Sequence, residues 1–130
     1  MIVELNIQTK FKEELVDITA LVNKELLNAA ISEGELLLFV PHTTAGITIN
    51  ENADPDVIND ILLGFNSIGL NKCSFRHSEG NSIAHIKSSL VGFSLKLIVH
   101  KNCLLLGRWQ GVYFCEFDGP RKRKLILKIN

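Results

Sequence analysis

The chain has 130 residues, 46% of them apolar and 22% charged, which is enough material for one sizeable core and too little charge for a disordered chain. Fourteen lysines and arginines balance fourteen aspartates and glutamates, so there is no global field to hold a polyanion and nucleic acid is disfavoured as the main partner. No apolar run approaches the roughly 18 residues of a membrane span, and no basic segment followed by an apolar block opens the chain.

Residues 3–9 alternate apolar and polar side chains and predict a first strand. Residues 11–18 are ambiguous, with a second strand as one reading. Asp17 or Thr19 can cap a helix whose apolar residues recur at three and four positions from Leu21 to Ile31, with Gly34 ending it. Residues 35–40 suit a buried strand stopped by Pro41, and residues 45–50 alternate again. Asp54 followed by Pro55 marks a helix start, cap then first turn, and that helix fades near Gly69. A third helix is expected over residues 82–90, followed by strands at 93–100, 111–117 and 123–129. Asp118-Gly119-Pro120 is the turn between the last two strands. Alternation through Arg121, Lys122, Arg123 and Lys124 sends the arginines to one face and the lysines to the other. Strands and helices mix without a βαβ rhythm, which predicts a single α+β domain.

Cys73, Cys103 and Cys115 are odd in number and form no C-x-x-C pair, so neither a disulfide framework nor a cysteine zinc site is supported. They read as reduced, mostly buried small hydrophobes, and a cytoplasmic location is the default expectation.

Three segments could carry chemistry. The first is PHTTAG (residues 41–46), between two expected strands, where Thr43, Thr44 and Gly46 could offer hydroxyls and backbone N–H groups to an anion. Its plainer reading is a hairpin connection. The second is HSEGNSIAH (residues 77–85). On one continuous helix its two histidines would stand about 12 Å apart, too far to share a metal. A shared ligand therefore needs a bend, which Gly80-Asn81 can supply, with His77 in a loop and His85 in the helix. Otherwise His77 is a surface residue and His85 a packed one. The third is LGRWQG with EFDGPR (residues 106–111 and 116–121), where Trp109 and Gln110 could meet a flat ring. Glu116 and Asp118 share a face by strand parity, and Arg121 could clamp a phosphate with two parallel hydrogen bonds. The alternative there is a core tryptophan and an Asp/Arg pair locking the turn. No G-x-S-x-G elbow supports a serine hydrolase.

Taken together, these segments resemble the YjbQ-like family, labelled secondary thiamine-phosphate synthases. The matching stretches are PHTTAGITINENADPDV (41–57), HSEGNSIAH (77–85) with VGFS (91–94), and LGRWQGVYFCEFDGPRKR (106–123). Order and spacing agree over nearly the whole chain. The resemblance implies a β-rich α+β fold of about seven strands in a sandwich-like arrangement with two to three helices, assembled as a homotrimer. It implies that His42, His77 and His85 bind a divalent metal ion (zinc or magnesium) or an anion. By the same resemblance Glu51, His77, His85, Glu116, Asp118 and Arg121 take catalytic roles, and Thr43, Thr44, Asn81, Trp109, Gln110 and Arg121 contact a small phosphorylated metabolite. Two positions depart from the family pattern: Gly80 stands where an acidic residue is usual, and His100-Lys101-Asn102-Cys103 replaces a glycine-containing turn. The label implies joining hydroxymethylpyrimidine diphosphate to a thiazole phosphate with release of diphosphate. Metal-assisted phosphate hydrolysis and non-catalytic binding of a metal or metabolite are the alternatives.

Overall fold

The computed structural model describes residues 1–130. In chain order the elements are β1 (Ile2–Gln8), β2 (Glu14–Asp17), α1 (Thr19–Asn28), β3 (Glu33–Phe39), β4 (Ala45–Glu51), α2 (Pro55–Ser67), α3 (Ser82–Val91), β5 (Ser94–His100), β6 (Cys103–Leu104), β7 (Gln110–Glu116) and β8 (Lys122–Ile129). A five-stranded antiparallel sheet has the order β1-β8-β3-β5-β6, and a three-stranded one the order β2-β7-β4. The α+β expectation holds, with eight strands where about seven were expected. The extra one, β6, is too short to show a period of two. It returns from β5 through Lys101 (φ 52) and Asn102 (φ 64), so two left-handed residues make the turn without a glycine.

The two sheets stack through their apolar faces. Leu36, Leu38, Leu125 and Leu127 from the larger sheet meet Ile47, Val112 and Phe114 from the smaller one, and Val22 and Leu26 of α1 fill the same core. Each such side chain contributes roughly 1.5–3 kcal/mol by leaving water. Asp17 starts α1: its Oδ1 accepts from the Thr19 backbone N–H (2.9 Å) and hydroxyl (2.6 Å). The expected extension of α1 to Gly34 is corrected. The helix ends at Asn28, Ala30 turns left-handed (φ 56), and Gly34 lies inside β3. A side chain there would bring its Cβ to 2.2 Å from the Asn130 carbonyl oxygen, so close strand approach, and not helix termination, requires the glycine.

The other face of the small sheet is covered by α2 and α3. Asp54 caps α2 by accepting from the Asp56 N–H (2.9 Å), with Pro55 in the first turn, as the sequence predicts. No residue of α2 is fully buried. Helix α3 sits closer: the Ser88 hydroxyl donates to the Ala45 carbonyl at 2.6 Å. Lys87 is buried, with its ammonium donating to Asn66 (2.7 Å) and to Glu13, so one cation ties α3 to α2 and to the β1–β2 connection. Of the cysteines only Cys115 is buried, its thiol pushed up to about 12 by burial; Cys73 and Cys103 are exposed, which corrects the expectation that most are core residues. No helix is long and apolar enough to cross a membrane.

Candidate functional site

Antiparallel pairing puts Ala45, at the start of β4, opposite Glu116, at the end of β7. The Phe117 N–H then donates to the Thr44 carbonyl (3.2 Å), carrying the β3–β4 connection to the β7–β8 turn. The first residues of α3 reach the same edge. There a polar cavity of about 250 Å³ is lined by Thr43 and Thr44, by His77 and Glu79, by Asn81 and His85, and by Asp118 and Arg121, with no apolar side chain. All three sequence segments thus converge, the third through its 116–121 half only.

Beneath this wall lies a buried ion pair. Arg123 Nε donates to both carboxylate oxygens of Glu116 (3.0 Å each), and its Nη2 donates to Glu116, to the Thr44 carbonyl (3.2 Å) and to the Thr44 hydroxyl (2.8 Å). The Thr9 hydroxyl donates to Glu116 at 2.7 Å and accepts from the Arg121 N–H at 2.9 Å. The Asp118 N–H donates to Glu116 at 3.3 Å. The expectation that strand parity gives Glu116 and Asp118 a common face is corrected. Glu116 is fully buried, and its carboxylate holds the backbones and side chains that form the pocket. Strand parity does not reach Asp118 because β7 ends at Glu116.

Asp118 is the charged hub of the pocket. Its carboxylate accepts from Asn81 Nδ2 (2.9 Å), Arg121 Nη2 (3.1 Å) and Lys12 Nζ (3.3 Å). Partial burial resists ionisation, but hydrogen bonds from Asn81 and Lys12 and the charges of Lys12 and Arg121 outweigh it and hold the carboxyl below its usual range. The Asn81 amide is oriented by that contact, and its Oδ1 is buried with no partner. Arg121 also donates Nε to the Asp118 carbonyl (2.9 Å) yet stays half-exposed.

His77 and His85 do meet. Their rings stand edge to face with centroids 5.4 Å apart, because Gly80, at φ 75, bends the chain between them. A Cβ at Gly80 would touch nothing, but the left-handed φ of 75 strains any side chain placed there. The expected third imidazole is elsewhere. His42 Nε2 accepts the Lys124 backbone N–H at 2.9 Å, and no three His, Cys, Asp or Glu side chains are gathered as a metal set. Within one chain the three-histidine ligand set does not fit: two imidazoles are available, and the nearby Asp118 is already engaged.

His42 belongs to a larger open cleft of about 720 Å³ next to the pocket, walled by Phe39 and Phe93 and sharing Thr43, Thr44 and Arg121 with it. Burial, reinforced by the charges of Arg123 and Arg121, lowers the His42 pKa and favours the neutral ring.

The remaining expected residues lie at the other end of the small sheet. Glu51 pairs with Gln110, and the Asn52 N–H donates to the Trp109 carbonyl at 3.0 Å. Seven-residue strands separate that end from Thr44 and Asp118 by roughly 20 Å. Gln110 closes its own loop by accepting the Gly107 N–H (2.8 Å), and Trp109, 55% exposed, lies under the Arg108 guanidinium at 4.8 Å. Glu51, Trp109 and Gln110 are therefore not gathered with the histidines inside one chain. Sequence reasoning overlooked Glu79, Lys12, Thr9 and Arg123. The inward parity of Arg123 was the one available signal; Thr9 and Lys12 arrive only through the pairing of β1 with β8 and the loop after it.

The family described as UPF0047 protein YjbQ-like matches residues 3–130. The UPF0047 protein YugU of Bacillus subtilis is 50% identical over 130 residues, covering 99% of this chain and 98% of its own. A crystal structure of a protein of the same family from Clostridium acetobutylicum superposes with a TM-score of 0.93 at 49% identity, covering 98% of this chain and 99% of that one. A hypothetical protein from Aeropyrum pernix K1 gives 0.92 at 30% identity, covering 100% and 98%. Motifs, fold and relatives agree: the chain belongs to the YjbQ-like UPF0047 family.

Proposed function

We propose that the chain is an enzyme of small phosphorylated metabolites that joins hydroxymethylpyrimidine diphosphate to a thiazole phosphate and releases diphosphate. The observation that carries this reading is the convergence of Arg121, Thr43 and Thr44 with the His77–His85 pair around one wholly polar pocket. Arg121 has a half-exposed guanidinium fixed on one side by Asp118, leaving further N–H groups for phosphate oxygens. The Thr43 and Thr44 hydroxyls complete an anion cradle. In the reaction the carbon–oxygen bond from the pyrimidine methylene to the diphosphate breaks, and its electron pair leaves with the diphosphate. The thiazole nitrogen lone pair forms the new carbon–nitrogen bond, and the positive charge ends on the thiazolium ring. Arg121 stabilises the charge accumulating on the leaving group, and a protonated imidazole of the His77–His85 pair can hand it a proton.

We also propose a homotrimer in a reducing, cytoplasmic compartment. The 13-residue helix α2 with no fully buried residue, the exposed Leu63, Ile68 and Leu90, and the exposed free Cys73 and Cys103 support this.

The test is to incubate purified protein with both substrates and follow thiamine phosphate by chromatography and diphosphate by phosphorus NMR. Wild type is expected to form both in equal amounts. Arg121→Ala is expected to lower kcat/KM by about tenfold to a hundredfold, as losing a charge-assisted hydrogen bond of about 1.5–3 kcal/mol requires. Inorganic phosphate released without coupling would replace this reading by hydrolysis. Tight binding without turnover would replace it by a binding protein.

A further inference from the structure

The connection between β1 and β2, residues 9–13, lies outside all three motif segments, yet it holds the polar pocket from behind. The Thr9 hydroxyl donates to Glu116 (2.7 Å) and accepts the Arg121 N–H (2.9 Å). The Lys12 carbonyl accepts the Gly119 N–H at 2.9 Å, and a Cβ at Gly119 would run into the Phe11 carbonyl oxygen, so loop and turn are packed backbone to backbone. Glu13 accepts from the buried Lys87 ammonium of α3. Tied down on both sides, Lys12 has its ammonium 3.3 Å from Asp118 Oδ1, the oxygen that Asn81 and Arg121 leave free, since both of those donate to Oδ2. The charges then matter. The pocket lining has a single fixed cation, Arg121, against two carboxylates, Asp118 and Glu79. With neutral imidazoles that wall is negative by one charge and repels an anion. Lys12 does not line the pocket; it brings the balance to zero from outside, without taking up space in the cavity. Asp118, with a side chain only 13% exposed, is shielded little by water, so its compensation has to come from a neighbouring cation.

We propose that Lys12 is a positioning residue that sets the charge of the pocket: by pairing with Asp118 from behind, it leaves Arg121 a net cation towards the cavity and makes the site favour the more highly charged anion. Coulomb attraction grows with the charge of the ligand, so losing this ammonium weakens diphosphate more than monophosphate. A side chain that only stapled the loop would weaken both alike. The staple, moreover, is the Lys12 carbonyl, which every substitution at this position retains.

This inference rests on the anion cradle argued above, and the experiment separates the two. Isothermal titration would compare inorganic diphosphate and inorganic phosphate on the full chain, as wild type, Lys12→Gln and Lys12→Arg, at low salt and again in 1 M salt. Lys12→Gln keeps a donor of similar shape without the charge. At low salt it is expected to lose about fivefold in affinity for diphosphate and about twofold for phosphate, with both losses shrinking at high salt. Lys12→Arg is expected to restore the wild-type preference. Equal losses for the two anions, losses that salt does not diminish, an arginine variant as weak as the glutamine one, or no loss at all would each overturn the charge role of Lys12 while leaving the cradle intact. Failure of the wild type to bind either anion would remove the cradle, and this inference with it.

Discussion

Glu116 and His42 show how a residue type promises one role and its surroundings assign another. A glutamate near an aspartate and an arginine invites an acid–base reading, yet every Glu116 contact runs to Arg123, Thr9 or the Asp118 backbone. Removing one partner of such a pair leaves a buried charge uncompensated. Glu116→Ala should therefore cost about 3–5 kcal/mol in urea unfolding, with Glu116→Gln milder. A loss below about 1 kcal/mol would contradict the bracing role. For His42 the pKa is lowered in the folded chain, so below the ordinary value of 6.5 the unfolded chain binds more protons. Its stability contribution is complete above that pH and is lost as pH falls towards the depressed value. Stability should thus decline on acidification from pH 7 to 5, and His42→Asn should flatten that slope. Asp118, whose pKa is also lowered, contributes above the ordinary carboxylate value of 3.8 and is lost in a separate, more acidic window.

At the scale of elements, the antiparallel pairing of β4 with β7 sorts the motif residues into two groups. Residues at the β4 start and β7 end form the pocket, while Glu51, Trp109 and Gln110 gather at the opposite end. Trp109→Ala is accordingly expected to leave diphosphate affinity within about twofold of wild type, since an exposed change of this kind shifts energies by about 0.5 kcal/mol or less. A tenfold loss would mean that the tryptophan end of one copy reaches the pocket of another. Helix α3 matters for a different reason: its first turn carries Asn81 to Asp118 and His85 to His77, so the Gly80 bend determines whether the imidazoles meet.

At the scale of the whole molecule, the homotrimer proposed above would sediment at about three times the 14.5 kDa of one chain, with the exposed leucines and isoleucines as the surface available for contacts between copies. A monomer at micromolar concentration would contradict this. Assembly also bears on metal binding, because one chain offers two imidazoles where a zinc site takes at least three protein ligands. Protein dialysed against a chelator should therefore hold less than one zinc per chain by elemental analysis. Zinc retained at one per chain would need a further donor from a neighbouring subunit.

Periodicity and punctuation determined most of the elements. The alternation at residues 3–9, the Asp54-Pro55 helix start and the alternation of Arg123 against Lys122 and Lys124 all depend on neighbours a few positions apart, so they are legible along the chain. The bend at Gly80 was legible for the same reason, and with it the meeting of His77 and His85. Tertiary structure alone decided the rest. Gly34 looked like a helix stop because nothing local reveals that Asn130, nearly a hundred residues on, will pack against it. The bracing role of Glu116 was hidden because its partner Thr9 arrives through long-range strand pairing, and Trp109 and Gln110 stand apart from the histidines within one chain because antiparallel register carries them to the far end of a sheet. Side-chain type and short-range spacing fix what a segment can do; which segments become neighbours is set by sheet register, a property of residues far apart in sequence.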